Sequence, residues 1–590
     1  MSTPTLKIRA ANEYGEYDKA SLKMYGLDMV VEPFRVTTVT AEAVENSPIS
    51  SSRFVWRLQY ADLSGATDDS VPDAWSHTGG SQTTLELDRP GSIYVLSVEN
   101  VDENGAAIAN GRTKVSCKYV RREIRDLTDE DREAFFDALR DWYTVPTDVG
   151  KRRYGPNFSN YEVVTAYHDA NVDNFCYHIG LQFLTSHPAF TLWVERYLQM
   201  IDPRVSIPIW DYMVDSTSLG HRWYNSIIFD RDWFGSAFGS PHDSFIISEG
   251  RFSNISTIYD PDNTLGRKLG PYHNAYGYVT SPYNYQDLPR ISRTSSFCGL
   301  PSHATLATAE TFVACFDNFT SLAGWESCME TMVHGDIHGL VGGAFNCNTD
   351  MKTFAEDHPE FSSGLLSFAL ELMTFSFWPT NVLTPKKNLC HTTCTSGQDK
   401  FCGCTCLMDP FAISEDEVYA YMEVFFTAAS VKFHGDQYIA YDEDARYPYG
   451  FMQNEERLSD EANLLLMRHL VNIGCEPGSL GAMSTLASPL DPVFHVLHSM
   501  FEKALHIVLL SPKYRDSFST DWVDGPCPGS GYNDQLPFTE AGLGLGAGTT
   551  FMTNKRITEL MHPENPAMPY IYEDFTKWGT NSIETWNPYS

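Results

Sequence analysis

The chain has 590 residues, of which 20% are charged and 13% aromatic, a composition that suits a large folded protein with a substantial core and excludes a disordered chain. Its 42 basic residues against 76 acidic ones leave a net charge of -34, which repels nucleic-acid phosphates and anionic membrane surfaces and argues against nucleic acid as a partner. No run of 18 or more apolar residues is present, so no membrane insertion is expected, and the opening "MSTPTLKIRAANEYGEYD" lacks the apolar centre of a signal peptide.

In chain order, "SRFVWRLQYA", "TTLELD" and "SIYVLSVENV" alternate polar and β-forming residues, "DENG" offers a hairpin turn, and "RTKVSCKYV" reads as a closing strand. This pattern predicts a small β-sandwich of immunoglobulin or fibronectin type III character over residues 1–119. From "RREIRDLTDEDREAFFDALRDWY" the pattern turns helical, with Thr128 as N-cap and Glu130 and Asp131 in the first turn. Residues 120–590 read as one further unit, mainly α-helical with long Gly, Pro, Asn and Tyr-rich connections, so the fold class is α+β multidomain. A single unit is expected there because its histidines must converge from distant positions.

Three helical segments carry those histidines. "FCYHIGLQFLTSHPAFTLWVERYL" places His178 and His187 nine residues apart in an apolar setting, which on one unbroken helix would point them to opposite faces. A break at Gly180 and a new helix starting at Thr185 or Ser186, with Pro188 in its first turn, would aim both at one point. "GWESCMETMVHGDIHGLVGG" sets Glu330, His334 and His338 at four-residue steps on one face and ends at Gly342 and Gly343. "ASPLDPVFHVLHSMFEKALHIVLL" carries His495 and His498 on a helix that Asp491 caps and Pro492 opens. A lone histidine in such a setting is more often a core residue bonded to a backbone carbonyl. The joint pattern points instead to a transition metal, since neutral imidazole suits copper, zinc and iron. Gly335 follows His334 where a zinc protease would need its glutamate.

Thirteen cysteines are present, and Cys390, Cys394, Cys402, Cys404 and Cys406 crowd one segment. They read as a disulfide-stapled loop, with a structural zinc site recruiting His391 as the competing reading. Sequons at Asn157, Asn254 and Asn318 suit an extracellular chain. The expectation is a secreted protein whose leader is absent from this chain.

These residues resemble the type 3 copper family of tyrosinases, catechol oxidases and mollusc-type hemocyanins. His178, "FLTSH" ending at His187, "WVERYL" and "IPIWDYM" are similar to its first copper motif; Glu330 to Gly343 and Ser488 to His498 are similar to the second; "MPYIYEDF" resembles its closing Y-x-Y motif. The resemblance implies two copper ions, one held by His168, His178 and His187 and the other by His334, His338 and His498, with His495 set aside. It implies a thioether from Cys176 to His178, which leaves twelve cysteines for six disulfides, one of them tethering Cys117 to the second unit. It also implies that dioxygen is used to oxidise small phenols, o-diphenols to o-quinones, with Glu330 ordering a water and taking a phenol proton. Many members that hydroxylate monophenols carry Asn after the histidine matched by His334; here that residue is Gly335, so diphenol oxidation is the firmer expectation. The 159 residues between His338 and His498 exceed the usual spacing, and residues 346–480, with the Cys-rich loop 390–406, read as an insertion. Alternatives are a hemocyanin-type dioxygen carrier and a secreted matrix or binding protein with a vestigial copper fold.

Overall fold

A computed structural model describes residues 6–44, 53–68, 70–169, 177–178, 180–253, 255–262, 264–265, 273–281, 284, 287, 289–302, 305–347, 349–372, 388–389, 393–395, 402, 405–432, 438–475, 478–515, 517–525 and 528–575. Cys176, Cys390, His391, Cys404 and Asn254, singled out above, lie outside them.

The N-terminal part contains two sheets. Strands β1 (Leu6–Ala11), β3 (Thr37–Ala43) and β6 (Gln82–Leu85) pair in the order β1-β3-β6; β2 (Met29–Val31), β4 (Phe54–Ala61), β5 (Trp75–Gly79), β7 (Ile93–Val101) and β8 (Ala107–Cys117) form the order β2-β8-β7-β4-β5. The period-2 alternation sends Phe54, Trp56 and Leu58 of β4 inward, where they meet Val39, Leu96, Val98 and Val115 in one shared core. Asp102 builds the β7–β8 turn, its carboxylate accepting from Asn104 N and Ala106 N at 2.9 and 2.8 Å.

The tether expected at Cys117 is absent. Its thiol is free and buried in this core, and burial pushes it up to about 12, because the inward register of β8 aims the side chain between the sheets rather than toward the helices. A non-covalent junction takes its place. Strand β9 (Tyr119–Arg121) pairs in parallel with Tyr570–Tyr572, and the buried Lys118 amine donates to the carbonyls of Pro566, at 3.0 Å, and Met568. Disulfides join Cys298 to Cys347, Cys315 to Cys328 and Cys394 to Cys402.

Helix α1 (Lys19–Met24) lies between β1 and β2, and the rest follow β9: α2 (Asp129–Thr144), α3 (Thr147–Tyr154), α4 (Tyr161–Asp169), α5 (Phe183–Ile201), α6 (Tyr212–Leu219), α7 (Ala309–Asp317), α8 (Leu322–Cys328), α9 (Asp336–Gly342), α10 (Met351–Asp357), α11 (Ser363–Leu372), α12 (Glu415–Lys432), α13 (Asp460–Cys475) and α14 (Val493–Leu510). Thr128 caps α2, its hydroxyl accepting from Asp131 N. The main core gathers Trp142, Phe183, Phe190, Trp210, Met329, Val496 and Met500. A separate core, with Met351, Leu365, Met422 and Leu466, is built largely from residues 344–480. Helix α14 is apolar and long enough to cross a membrane, but it is buried inside the protein, and its hydrophobicity is that of a helix packed on every side.

Burial lowers the Lys118 amine from 10.5 to about 7, and the neutral amine can still donate to both carbonyls. Between about pH 7 and 10.5 the unfolded chain therefore binds the proton that the folded chain lacks, so this group makes stability rise with pH across that window. In thermal unfolding followed from pH 6 to 10, the wild type should gain on Lys118→Met as the pH rises. A constant gap between the two would show that Lys118 is charged in the fold.

Candidate metal centre

The structure gathers all six expected histidines into two trios, His168, His178, His187 and His334, His338, His498, with the ligating atoms of each trio within 4.8 Å of one another. His168 comes from the end of α4, His187 from the second turn of α5, and His178 from the loop between them. Gly180 breaks the chain there with φ +121°, a conformation that L side chains avoid. Helix α5 starts at Phe183, earlier than the expected Thr185 or Ser186, so His187 and Pro188 lie inside it. As the sixth residue of α5, Pro188 has no amide to offer the Leu184 carbonyl one turn before it. The Gln182 side chain folds back onto the His178 carbonyl at 2.7 Å and fixes the loop.

His334 lies in a π-helical stretch, Met329–Gly335, that runs on into α9, which carries His338. Their Nε2 atoms are 3.0 Å apart. His498 comes from α14 and stacks on His187, centroids 4.5 Å apart and planes 10° apart, which closes the two trios on one another. Phe183 stacks on His187 at 4.1 Å and Phe494 lies 4.1 Å from His498, so the rings share an aromatic sleeve. In each trio one imidazole, His178 or His338, is half-buried and the other two are buried.

One connection orients a histidine in each trio. The segment Ala482–Leu490 places the Leu486 carbonyl 2.6 Å from His168 Nδ1 and the Met483 carbonyl 2.8 Å from His338 Nδ1. Gly342 allows this approach, since a Cβ there would lie 2.3 Å from Ser484 N. Ser186 donates to the Tyr177 carbonyl at 3.2 Å and can accept from His187 Nδ1 at 3.1 Å. These acceptors place the proton on Nδ1 and leave Nε2 as the lone-pair donor of His168, His187 and His338. Burial lowers His168 and His338 to about 4 and drives His187, His334 and His498 well below their usual value, so all five are neutral at pH 7. Both ring nitrogens of His498 are buried without a protein hydrogen bond. Neutral borderline-soft donors, with a buried nitrogen lacking a protein partner, fit a copper pair.

Two buried arginines hold the ligand helices through three ion pairs. Arg293, fully buried, forks onto Asp491 with both contacts at 2.7 Å, and Asp491 accepts from Val493 N at the start of α14; Pro492 lies just before that helix rather than in its first turn. Arg121 reaches Glu195 of α5 at 2.9 Å and Glu502 of α14 at 2.6 Å.

His495 faces away from the trios: its Nε2 meets the Tyr143 hydroxyl at 2.9 Å, and its ring packs on Trp142. Glu330 stands beside Glu326, a residue the sequence reading missed. Glu326 is fully buried; burial first and then the Glu330 carboxylate push it well above the usual carboxyl range, against the pull of the Gly180 backbone. Continuing the four-residue ladder His338, His334, Glu330 one step back would have found it.

Residues 158–362 match the family model for the common central domain of tyrosinase. The chain is similar to a tyrosinase of Aspergillus oryzae, 26% identical over 182 residues, covering 30% of this chain and 30% of that one. It is also similar to grixazone synthase of Streptomyces griseus, 24% identical over 246 residues, covering 38% of this chain and 75% of that one. The chain thus spans under a third of the length of the Aspergillus relative. Five of the six clustered histidines fall in the matched stretch, and the sixth, His498, completes the second trio; through this stretch the chain is similar to the tyrosinases of the type 3 copper family.

Proposed function

We propose that the chain is a dicopper phenol oxidase that uses dioxygen to convert o-diphenols to o-quinones, with His168, His178 and His187 holding one copper ion and His334, His338 and His498 the other. The observation that carries the reading is the meeting of six imidazoles as two trios, stacked through His187 and His498. A bound copper pair supplies the reduction of dioxygen with electrons drawn from the phenol. The protein holds five of the six ligands without charge, fixes Nδ1–H on three of them, and surrounds the pair with Phe183 and Phe494. The half-buried His178 and His338 leave an edge of the centre open for a flat phenol, which supports an enzyme over a carrier that shuts phenols out. Glu326 keeps the proton of the Glu326–Glu330 pair, so Glu330 is the carboxylate assigned to take the phenol proton. A Cβ on Gly335 would lie 2.8 Å from the Glu330 carbonyl, so this π-helical turn has no room for a polar side chain after His334, and monophenol hydroxylation is not part of the reading. The thioether from Cys176 to His178 belongs to the same proposal. So does a secreted chain, supported by the disulfides and by the exposed Asn157 and Asn318. The paired N-terminal sheets support a β-sandwich unit at 1–119 ahead of a helical copper unit.

Copper-loaded protein should carry two ions per chain by elemental analysis and generate quinone absorbance from catechol under air. Reversible dioxygen uptake without quinone would make it a carrier, and absence of copper would make the fold vestigial. His498→Ala should retain one ion and lose turnover. Glu330→Gln should keep both ions and slow catechol oxidation roughly 100-fold, the usual scale for losing a positioned base; unchanged turnover would remove Glu330 from the proton path.

A further inference from the structure

One face of residues 18–30 packs away from the sheets that flank them. Leu22, Tyr25, Leu27 and Val30 belong to the core that encloses the trios, whereas Met29 and Val31, on the opposite face of β2, belong to the sandwich core. Helix α1 ends at Tyr25, whose ring stacks on Phe575 at 5.4 Å. The Tyr25 hydroxyl accepts from Tyr572 N at 3.0 Å and meets His506 Nδ1 at 2.9 Å. The hydroxyl can accept that N–H and donate its proton to Nδ1 at the same time. His506 is buried on α14, about two turns beyond His498. Tyr570, Tyr572 and Glu502 face it from the strand and from its own helix.

His498 is the member of the two trios whose ring nitrogens both lack a protein hydrogen bond. His168 and His338 are aimed by carbonyls and His187 by a serine hydroxyl, whereas the direction of His498 depends on the placement and rotation of α14 and on ring packing. We infer that Tyr25 is a positioning residue of the second metal site: it fixes the rotation of α14 through His506, which makes the N-terminal unit a built-in brace of the centre rather than a removable cover. The inference rests on the dicopper reading above.

The test uses the full chain and compares Tyr25→Phe, which keeps the ring against Phe575, with Leu22→Ala, a packing change on the same helix. Release of each copper ion is followed by chelator competition, together with kcat and KM for catechol and the melting temperature. Tyr25→Phe should melt within a few degrees of wild type, release one of its two ions roughly 10-fold more readily, the scale for losing a group that orients a ligand, and lose kcat at unchanged KM. Leu22→Ala should melt lower with both affinities kept. Equal copper affinities in Tyr25→Phe and wild type overturn the inference, whatever the melting temperature. A wild type that binds two ions but does not oxidise catechol sinks the oxidase reading and leaves the affinity comparison standing, whereas a wild type that binds none sinks both.

Discussion

A single buried guanidinium decides whether the two trios can face each other. Arg121 sits at the end of β9 with no exposed surface, bonded to Glu195 on the helix of His187 and to Glu502 on the helix of His498. Its plane lies 3.6 Å from the centre of the Tyr570 ring, and the hydroxyls of Tyr570 and Tyr572 both donate to Glu502. Glu195 also accepts from Ile207 N at 2.8 Å. Burying three charges is costly, and removing one partner of such a group typically costs about 3–5 kcal/mol because the remaining charge is stranded. The arrangement is therefore close to all-or-none: with Arg121 in place α5 and α14 are locked side by side and His187 can stack on His498, and without it two carboxylates are left facing each other where the helices meet.

The same clasp explains how distant parts of the chain become one body. Tyr570 and Tyr572 reach Arg121 because their strand pairs with β9, and that pairing is buttressed by Lys118 and by Tyr25. The N-terminal sheets thus enter the core around the trios through a short peptide, not through the disulfide expected at Cys117. Glu32, bonded to Arg122 at 2.6 Å, adds a second buried ion pair across the junction.

What could be read from the sequence was what local spacing controls. The four-residue step from His334 to His338, the break at Gly180 and the cap at Thr128 are each set within a turn or two of chain, and the structure has them. Thr185 and Ser186 resemble cap residues, yet α5 starts before them and both hydroxyls are used elsewhere: Thr185 bonds the Asn554 side chain and Ser186 the Tyr177 carbonyl. The orientation of the ligands was illegible for a different reason. The carbonyls that aim His168 and His338 come from 318 and 145 residues further along the chain, and a backbone oxygen leaves no mark in composition or periodicity. Cys117 was misjudged by counting, which says how many thiols there are and nothing about which way a strand turns them.

The charge distribution fits the chemistry assigned to the centre. The net charge of -34 is not delivered to the trios: burial keeps five of the six histidines neutral, and burial together with the Glu330 carboxylate pushes Glu326 well above the usual carboxyl range. A ligand set without anions would leave the positive charge of a bound metal uncompensated. An ionised Glu326 beside the His334 helix would offset that charge. Burial of Glu326 therefore preserves the positive character that a bound metal would give the site, and it follows from the depth at which the ladder Glu326, Glu330, His334, His338 runs into the core.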